Sequence, residues 1–257
     1  MMLAEFLTPT AHGLFGQIDP WVFLLLTATA VLVGAAVQSM VGLGLGLVAA
    51  PVISFLDPTL MPGTLLISAS VLPVLTLLQE WRQVDWRGMA WGLPARVPGT
   101  LIAVWVVAGL EPRALAAFVG VMVLVAVALT VRSFKVHVTP FSLVVAGTLS
   151  GFTSTATSVG GPPMALVYQN EPPEKVRATL AVFFLFGGLF SLAALVVGGQ
   201  IDTRTTAVGL SVIPFIGLGF FIGNRLRRRV NPARMRAVLL TVVSVSAVGL
   251  LAQAALG

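Results

Sequence analysis

Long apolar segments separated by short polar loops run along almost the whole chain. Each is about 20 residues long, which as a helix is the length needed to cross the ~30 Å hydrocarbon core of a bilayer. We therefore predict membrane-spanning helices at 61–79, 88–110, 114–131, 178–198, 205–223 and 237–256. Two further apolar stretches, 21–56 and 141–169, precede these helices in the first and second half of the chain.

The stretch 21–56 is too long for one crossing, because as a single helix it would extend ~54 Å at 1.5 Å per residue. Breaks are predicted where Gln38-Ser39 precedes a run of alternating glycines, and where 153–158, rich in Thr and Ser, precedes Gly-Gly-Pro-Pro. Glycine and proline both interrupt helices. Irregular backbone at membrane depth is tolerated only inside protein or beside a water-filled cavity. We therefore expect a broken helix or hairpin at the start of each half.

A five-residue pattern, Gln-Val/Ile-Asp-x-Arg, occurs at 83–87 and again at 200–204. After each copy, prolines, a glycine and an isoleucine recur with the same spacing. The matched pairs are Pro94 with Pro214, Gly99 with Gly219, Ile102 with Ile222, and Pro112 with Pro232. This predicts two pseudo-symmetric repeats, an arrangement common in transporters. The predicted boundaries are an N-terminal segment 1–20, repeat 1 at 21–133, a connecting loop 134–140 and repeat 2 at 141–257.

The composition agrees with this pattern: of 257 residues, 57% are hydrophobic and only 9% are charged, against about 25% charged in soluble domains. The predicted fold class is an all-α polytopic membrane protein with about 8–10 membrane segments. The net charge of +6 lies in loops beside apolar segments, where it favours contact with anionic lipid over nucleic acid. The chain has no cysteine, which excludes disulfides and thiol catalysis.

The distribution of basic residues favours an inverted relation between the halves. Four segments per half would leave five basic residues on the outer side: Arg82, Arg87, Arg132, Lys135 and Arg204. Five segments per half leave only Arg113 and Arg204 there, which fits the positive-inside rule better. An odd number of segments inverts the second half relative to the first.

Arg96 is the most conspicuous candidate for substrate binding. It lies about eight residues into the segment 88–110, between Pro94 and Pro98. A charge at that depth costs several kcal/mol unless water or a partner meets it. The alternative is that the helix begins late, near Val97, and that Arg96 extends to the lipid headgroups.

The two predicted breaks supply small polar residues that would suit an anion. Hydroxyl, amide and backbone N–H groups at a half-helix N-terminus form an electropositive cradle. The alternative is that these small residues serve close helix packing. The candidate substrate contacts are Gln38, Ser39, Gly42, Gly44, Gly46, Thr153, Ser154, Thr157, Ser158, Gly160 and Gly161.

The repeated Asp and Arg residues have a structural interpretation. Asp85 and Asp202 each precede an apolar segment, where aspartate caps the N–H groups of a helix. Arg87 and Arg204 follow two positions later and would fix the loop or pair with the aspartate. A gating role for these four residues is the alternative.

Catalytic chemistry is not expected. The acidic residues lie at segment ends or in loops, and the two histidines, His12 and His137, lie outside the apolar segments. No proton relay, transition-metal site or intramembrane hydrolase can be assembled from such positions. We predict no catalytic residue, no metal and no cofactor.

Taken together, these motifs resemble the sulfite exporter TauE/SafE family of membrane permeases over about 20–255. The resemblance rests on GLGLGLVAAP at 42–51 and SVGGPPMALV at 158–167. Each is followed by a helix start, Pro62-Gly63-Thr64 or Arg177-Ala178-Thr179. The family often has consecutive glycines at the break, whereas leucines alternate with them in the first half of this chain, and two prolines replace them in the second.

The resemblance implies a multi-pass permease of the bacterial inner membrane for sulfite, sulfonates or a similar small anion. We expect alternating access between the two repeats, lipid and the anion as partners, and possible homo-oligomers. A permease for another organic anion or a neutral solute stays open. So does a membrane scaffold without transport activity.

Overall fold

A computed structural model describes residues 19–131 and 136–227, together with 241, 243–245, 247–249, 251 and 252. Every regular element in the described residues is helical. The helices are α1 (Pro20–Val41), α2 (Leu45–Leu56), α3 (Gly63–Ala69), α4 (Val71–Glu80), α5 (Trp86–Ala108), α6 (Pro112–Val131), α7 (Pro140–Thr157), α8 (Gly161–Tyr168), α9 (Pro173–Val197), α10 (Thr203–Ser211) and α11 (Ile213–Leu226). Short 3-10 turns follow α2 and α4, and the described residues between 241 and 252 are helical.

The predicted all-α polytopic membrane protein is confirmed. In the described ranges, six helical stretches are long and apolar enough to cross a bilayer: Trp21–Val41, Gly63–Gln83, Trp86–Ala108, Pro112–Leu129, Pro173–Val197 and Thr203–Leu226. Large apolar side chains such as Trp105, Phe141 and Val197 are mostly exposed, as lipid-facing residues are. The predicted span 237–256 lies partly outside the described residues.

Polar caps fix several helix starts in an otherwise apolar chain. Asp19 accepts a hydrogen bond from the amide of Trp21 at the start of α1. Thr139 and Ser142 form a capping box at the start of α7. Pro20 and Pro140 occupy the first helical position, where the missing N–H costs nothing.

Each half opens with a helical hairpin, as the glycine-rich breaks predict. Leu45 at the start of α2 lies against Gly34, about two turns before the end of α1, so that α2 folds back along α1. Likewise Gly160, just after α7, lies against Ser150 and Ser154 of α7. The helices end at Val41 and Thr157, a few residues beyond the positions that the sequence suggested.

The first helix of each hairpin packs mainly on a helix of the opposite half. α7 packs most extensively on α5, and α1 packs most extensively on α11. A Cβ at Gly99 of α5 would overlap the carbonyl oxygen of Thr148, and one at Gly219 of α11 would overlap that of Leu32. Thus Gly99 and Gly219, which the sequence pairs as repeat counterparts, make the same contact on the first helix of the opposite half.

The stretch formed by α3 and α4 in the first half runs antiparallel to α9 in the second half. Glu80 at the end of α4 forms an ion pair with Arg177 near the start of α9, with 2.6 Å between oxygen and nitrogen. Gly63 at the start of α3 contacts Ile201 and Thr205, just past the end of α9. The boundaries 21–133 and 141–257 and the inverted repeat stay predictions, and these reciprocal contacts support them.

The buried apolar residues form two clusters. The larger cluster joins α1, α2 and α6 with α10 and α11. The smaller joins α5, α7, α8 and α9. The two hairpin tips meet where Gly46 lies against Ser158, and the candidate site lies there.

Candidate functional site

A cavity of about 60 Å³ lies where the tips of the α1–α2 and α7–α8 hairpins meet. This is several times the ~10–15 Å³ that one ordered water needs. The α3–α4 junction and the middle of α9 complete its wall. The candidate residues that line it are Gln38, Gly44, Gly46, Ser154, Ser158, Gly160 and Gly161.

Glycine is required where the tips turn and touch. Gly42, the C-cap of α1, has a φ of 89° in the left-handed region, which side chains disfavour. A Cβ at Gly46 would overlap the carbonyl oxygen of Ser158 in the opposite tip. The glycines therefore serve close packing, and packing also brings backbone polar groups to the cavity wall.

The N-terminus of α2 presents free backbone donors at the cavity. Gln38 Oε1 accepts a hydrogen bond from the amide of Leu45 at 3.0 Å. The amides of Gly46 and Leu47 precede the first intrahelical bond, from Val48 N to Gly44 O, and therefore have no carbonyl partner within the helix. α8 has fewer such donors, because Pro162 and Pro163 in its first turn lack an N–H.

Arg96 is fully buried behind the cavity wall, with 1% of its surface exposed. α5 begins at Trp86, ten residues before Arg96. This excludes the alternative in which the helix begins near Val97 and Arg96 extends to the lipid headgroups. Its NH2 donates to Ser154 Oγ at 2.8 Å and to Ser191 Oγ at 3.1 Å. The guanidinium also lies 4.9 Å from the ring centroid of Phe183, a cation–π contact.

The positive charge of Arg96 has no counter-ion in the described part of the chain. The ion pairs found there join other residues, and Nε and NH1 of Arg96 have no hydrogen-bond partner among the same described residues. Gly187 of α9 makes room for the group, because a Cβ there would overlap the guanidinium. Ser154 lines the cavity and therefore joins Arg96 to it.

A chain of hydroxyls extends from Arg96 into the helix bundle. Ser191 Oγ is 2.7 Å from Thr155 Oγ1, which lies 3.1 Å from Thr100 Oγ1. Sequence reasoning did not select Ser191, Thr100 or the cavity residues Phe184 and Gly188. The available signal was the spacing of 184, 188 and 191, which places them on one face of α9.

Several candidates lie away from the cavity. Ser39 donates to the carbonyl of Ala36 in its own helix, and Gly42 packs against Arg177. Thr153 and Thr157 also bond to carbonyl groups of α7.

The residues of the repeated Asp-x-Arg pattern lie at helix starts. Asp85 Oδ1 accepts from the amide of Gly88 at 3.0 Å, and Asp202 Oδ1 accepts from that of Thr205 at 2.6 Å. Arg204 forms an ion pair with Asp57 at 2.7 Å. Arg87 is exposed. A gating role for these residues stays a prediction.

A second, larger cavity of about 400 Å³ lies on the other side of the α1–α2 tip. Its lining is mostly apolar and includes Arg177 and Arg227, both of which bond to Glu80. Leu43 and Pro162 line both cavities. These two side chains therefore form the thin wall between them.

Comparison with known proteins identifies a family and a curated relative of this chain. The profile described as Sulfite exporter TauE/SafE matches residues 10–250. The "Probable inner membrane transporter protein TsaS" of Comamonas testosteroni is 28% identical over 177 residues, which cover 66% of this chain and 74% of that protein. No solved structure matches the chain.

Proposed function

The chain belongs to the sulfite exporter TauE/SafE family, and from that premise we propose that it carries a small sulfur oxyanion or sulfonate across the inner membrane. Its membership makes it a multi-pass membrane transporter of that family. The substrate and its path are our proposal. The anion binds in the 60 Å³ cavity between the hairpin tips.

The observation that carries the proposal is the uncompensated charge of Arg96. Taking a guanidinium out of water into a membrane protein is costly unless a partner meets it. In the described residues its hydrogen bonds go only to neutral hydroxyls. An anion in the adjoining cavity would supply the missing negative charge, and a neutral solute would not.

The electrostatic attraction between the Arg96 guanidinium and an anion in the cavity would contribute substantially to the binding affinity. Two successive hydrogen bonds through Ser154, each about 2.8 Å, separate the guanidinium from the anion by about 5–6 Å. At an effective dielectric constant of about 20, such a pair gains roughly 3 kcal/mol. That corresponds to about a hundredfold in affinity.

The other groups at the cavity are also suited to an oxyanion. Ser154 accepts from Arg96, so its own proton is free to donate into the cavity. The amides of Gly46 and Leu47 lie at the positive end of the α2 dipole. A sulfur oxyanion accepts at several oxygens and matches such a set of donors.

The second cavity suggests the route by which the substrate reaches the inner cavity from the cytoplasm. It lies at the end of the bundle that carries Arg225 and Arg227, which the positive-inside rule assigns to the cytoplasm. The substrate enters there and reaches the inner cavity when Leu43 and Pro162 separate. Relative movement of the two repeats, each carrying one hairpin, then alternates access.

The test is thermal unfolding of the purified protein in detergent with sulfite, sulfate, thiosulfate, taurine, sulfoacetate and acetate. We expect one sulfur anion to raise the Tm of the wild type, because a ligand that binds only the folded state stabilises it. Arg96→Gln should weaken the apparent affinity about a hundredfold. Without ligand the variant should be no less stable than the wild type, because it removes an uncompensated buried charge.

The matched control is Arg82→Gln, which removes an exposed guanidinium and should keep the full response. A purely structural role for Arg96 predicts the opposite pattern: lower stability without ligand. An equal response of wild type and Arg96→Gln contradicts the proposed site. A response to none of the anions favours a neutral solute or a scaffold.

A further inference from the structure

Gly188 occupies an unusual position in the middle of α9. It lines the inner cavity, and a Cβ built on it would meet no atom of the described residues within 4 Å. Packing against those residues therefore does not require glycine at this position. Glycine in a helix interior is also less stable than alanine, so that neither packing nor helix stability accounts for it.

The neighbouring glycine shows the contrast. A Cβ at Gly187 would overlap Nε, Cζ and NH1 of Arg96. Gly187 thus makes room for the guanidinium, whereas the space beside Gly188 belongs to the cavity. Phe184, one turn earlier on α9, also lines the cavity and packs beside Gly161 of the α7–α8 tip.

We propose that Gly188 sets the size of the anion that the cavity accepts; this rests on the proposed function. The oxyanion head is held on the side of Ser154 and the α2 N-terminus, and the space beside Gly188 holds the organic substituent of a small sulfonate. A methyl group is about the size of a water molecule, and one water takes up about 10–15 Å³ of such a cavity. The added methyl would therefore occupy roughly a fifth of the 60 Å³.

The experiment compares Gly188→Ala with Gly217→Ala. Gly217 lies in the interior of α11 and does not line the cavity. A Cβ built on it would likewise meet no described residue within 4 Å. Without ligand, both variants should unfold at or above the wild-type Tm, because alanine favours the helix and no clash arises. A Tm of Gly188→Ala clearly below that of Gly217→Ala would mean that packing needs the glycine, and would overturn the inference.

The second measurement titrates both variants with sulfite and with methanesulfonate. Gly188→Ala should lose about tenfold or more in affinity for methanesulfonate, the range expected for overpacking. It should change by less than about threefold for sulfite, and Gly217→Ala should bind both anions like the wild type. Unchanged selectivity in Gly188→Ala overturns this inference alone. A wild type that binds neither anion overturns the proposed function and this inference together.

Discussion

At the scale of residues, the proposed anion site depends on the charge of Arg96 and on the hydroxyl of Ser154 beside it. Arg96 cannot reach water, with 1% of its surface exposed. Ser154 is the residue that both accepts from it and faces the cavity. In the proposed site, Arg96 would polarise Ser154 and Ser154 would contact the anion, so that the cavity itself would contain no bulky cation.

Ser154→Ala tests this relay. The variant loses one donor to the anion, and hydrogen bonds to charged groups contribute about 1.5–3 kcal/mol. The affinity for the stabilising anion should therefore fall by about ten- to a hundredfold, which isothermal titration measures. Ser211→Ala is the control, because that hydroxyl bonds the carbonyl of Val208 in its own helix. If Ser154→Ala binds the anion as tightly as the control, the relay does not exist.

Some of this site was predictable from the sequence. Arg96 is conspicuous because charge is rare in apolar segments, and Ser154 lies in an evident polar cluster. The spacing of Ser191 and Gly188 places them on one face of α9, but their contacts were not predictable, since a serine or glycine in a long apolar helix does not show which residues it meets. Which hydroxyls of 153–158 face the cavity depends on where α7 ends, and helix ends are difficult to locate from sequence.

At the scale of elements, the two hairpins are the features that shape the cavity. Gly46 and Ser158 bring the tips into backbone contact. The tips differ in chemistry, because α2 offers free amides while prolines remove them from α8. The sequence predicted the breaks correctly, since glycine and proline act locally. Their contact across the two halves required the structure.

Gly46→Ala tests the contact between the tips. The added methyl would overlap the Ser158 carbonyl, so one backbone must move. We expect a loss of about 1–3 kcal/mol in unfolding free energy, the usual cost of overpacking, measured by denaturant unfolding in mixed micelles. Gly249→Ala, whose Cβ would meet no atom of the described part of the chain within 4 Å, should be neutral. A Gly46→Ala protein as stable as this control would show that the tips are not in contact.

At the scale of the whole molecule, reciprocal contacts join the two halves of the chain. Gly99 and Gly219 each contact the first helix of the opposite half, and the end of α4 lies beside the start of α9. Repeated residues in the sequence predict a duplication and the charge distribution predicts inversion, and both stay predictions. Neither revealed which helices pair, because partner choice depends on contacts between residues far apart in the chain.

Inversion is tested by two single cysteines in this cysteine-free chain. Trp86→Cys and Thr203→Cys replace exposed residues after the two copies of the repeated pattern. A membrane-impermeant thiol reagent should label 203 in cells whose inner membrane is intact, and 86 only after permeabilisation, because basic loops stay inside. Labelling of both positions from the same side would show that the halves are parallel.

The most direct test of the proposed transport is counterflow of the ³⁵S-labelled sulfur anion that most stabilises the purified protein, into proteoliposomes loaded with the same unlabelled anion. Transient accumulation is expected with the wild type and with Arg82→Gln, and at least about tenfold less at a low anion concentration with Arg96→Gln, whose affinity falls with the lost charge. Equal accumulation with Arg96→Gln and wild type, or none with the wild type above empty liposomes, would contradict the proposed function.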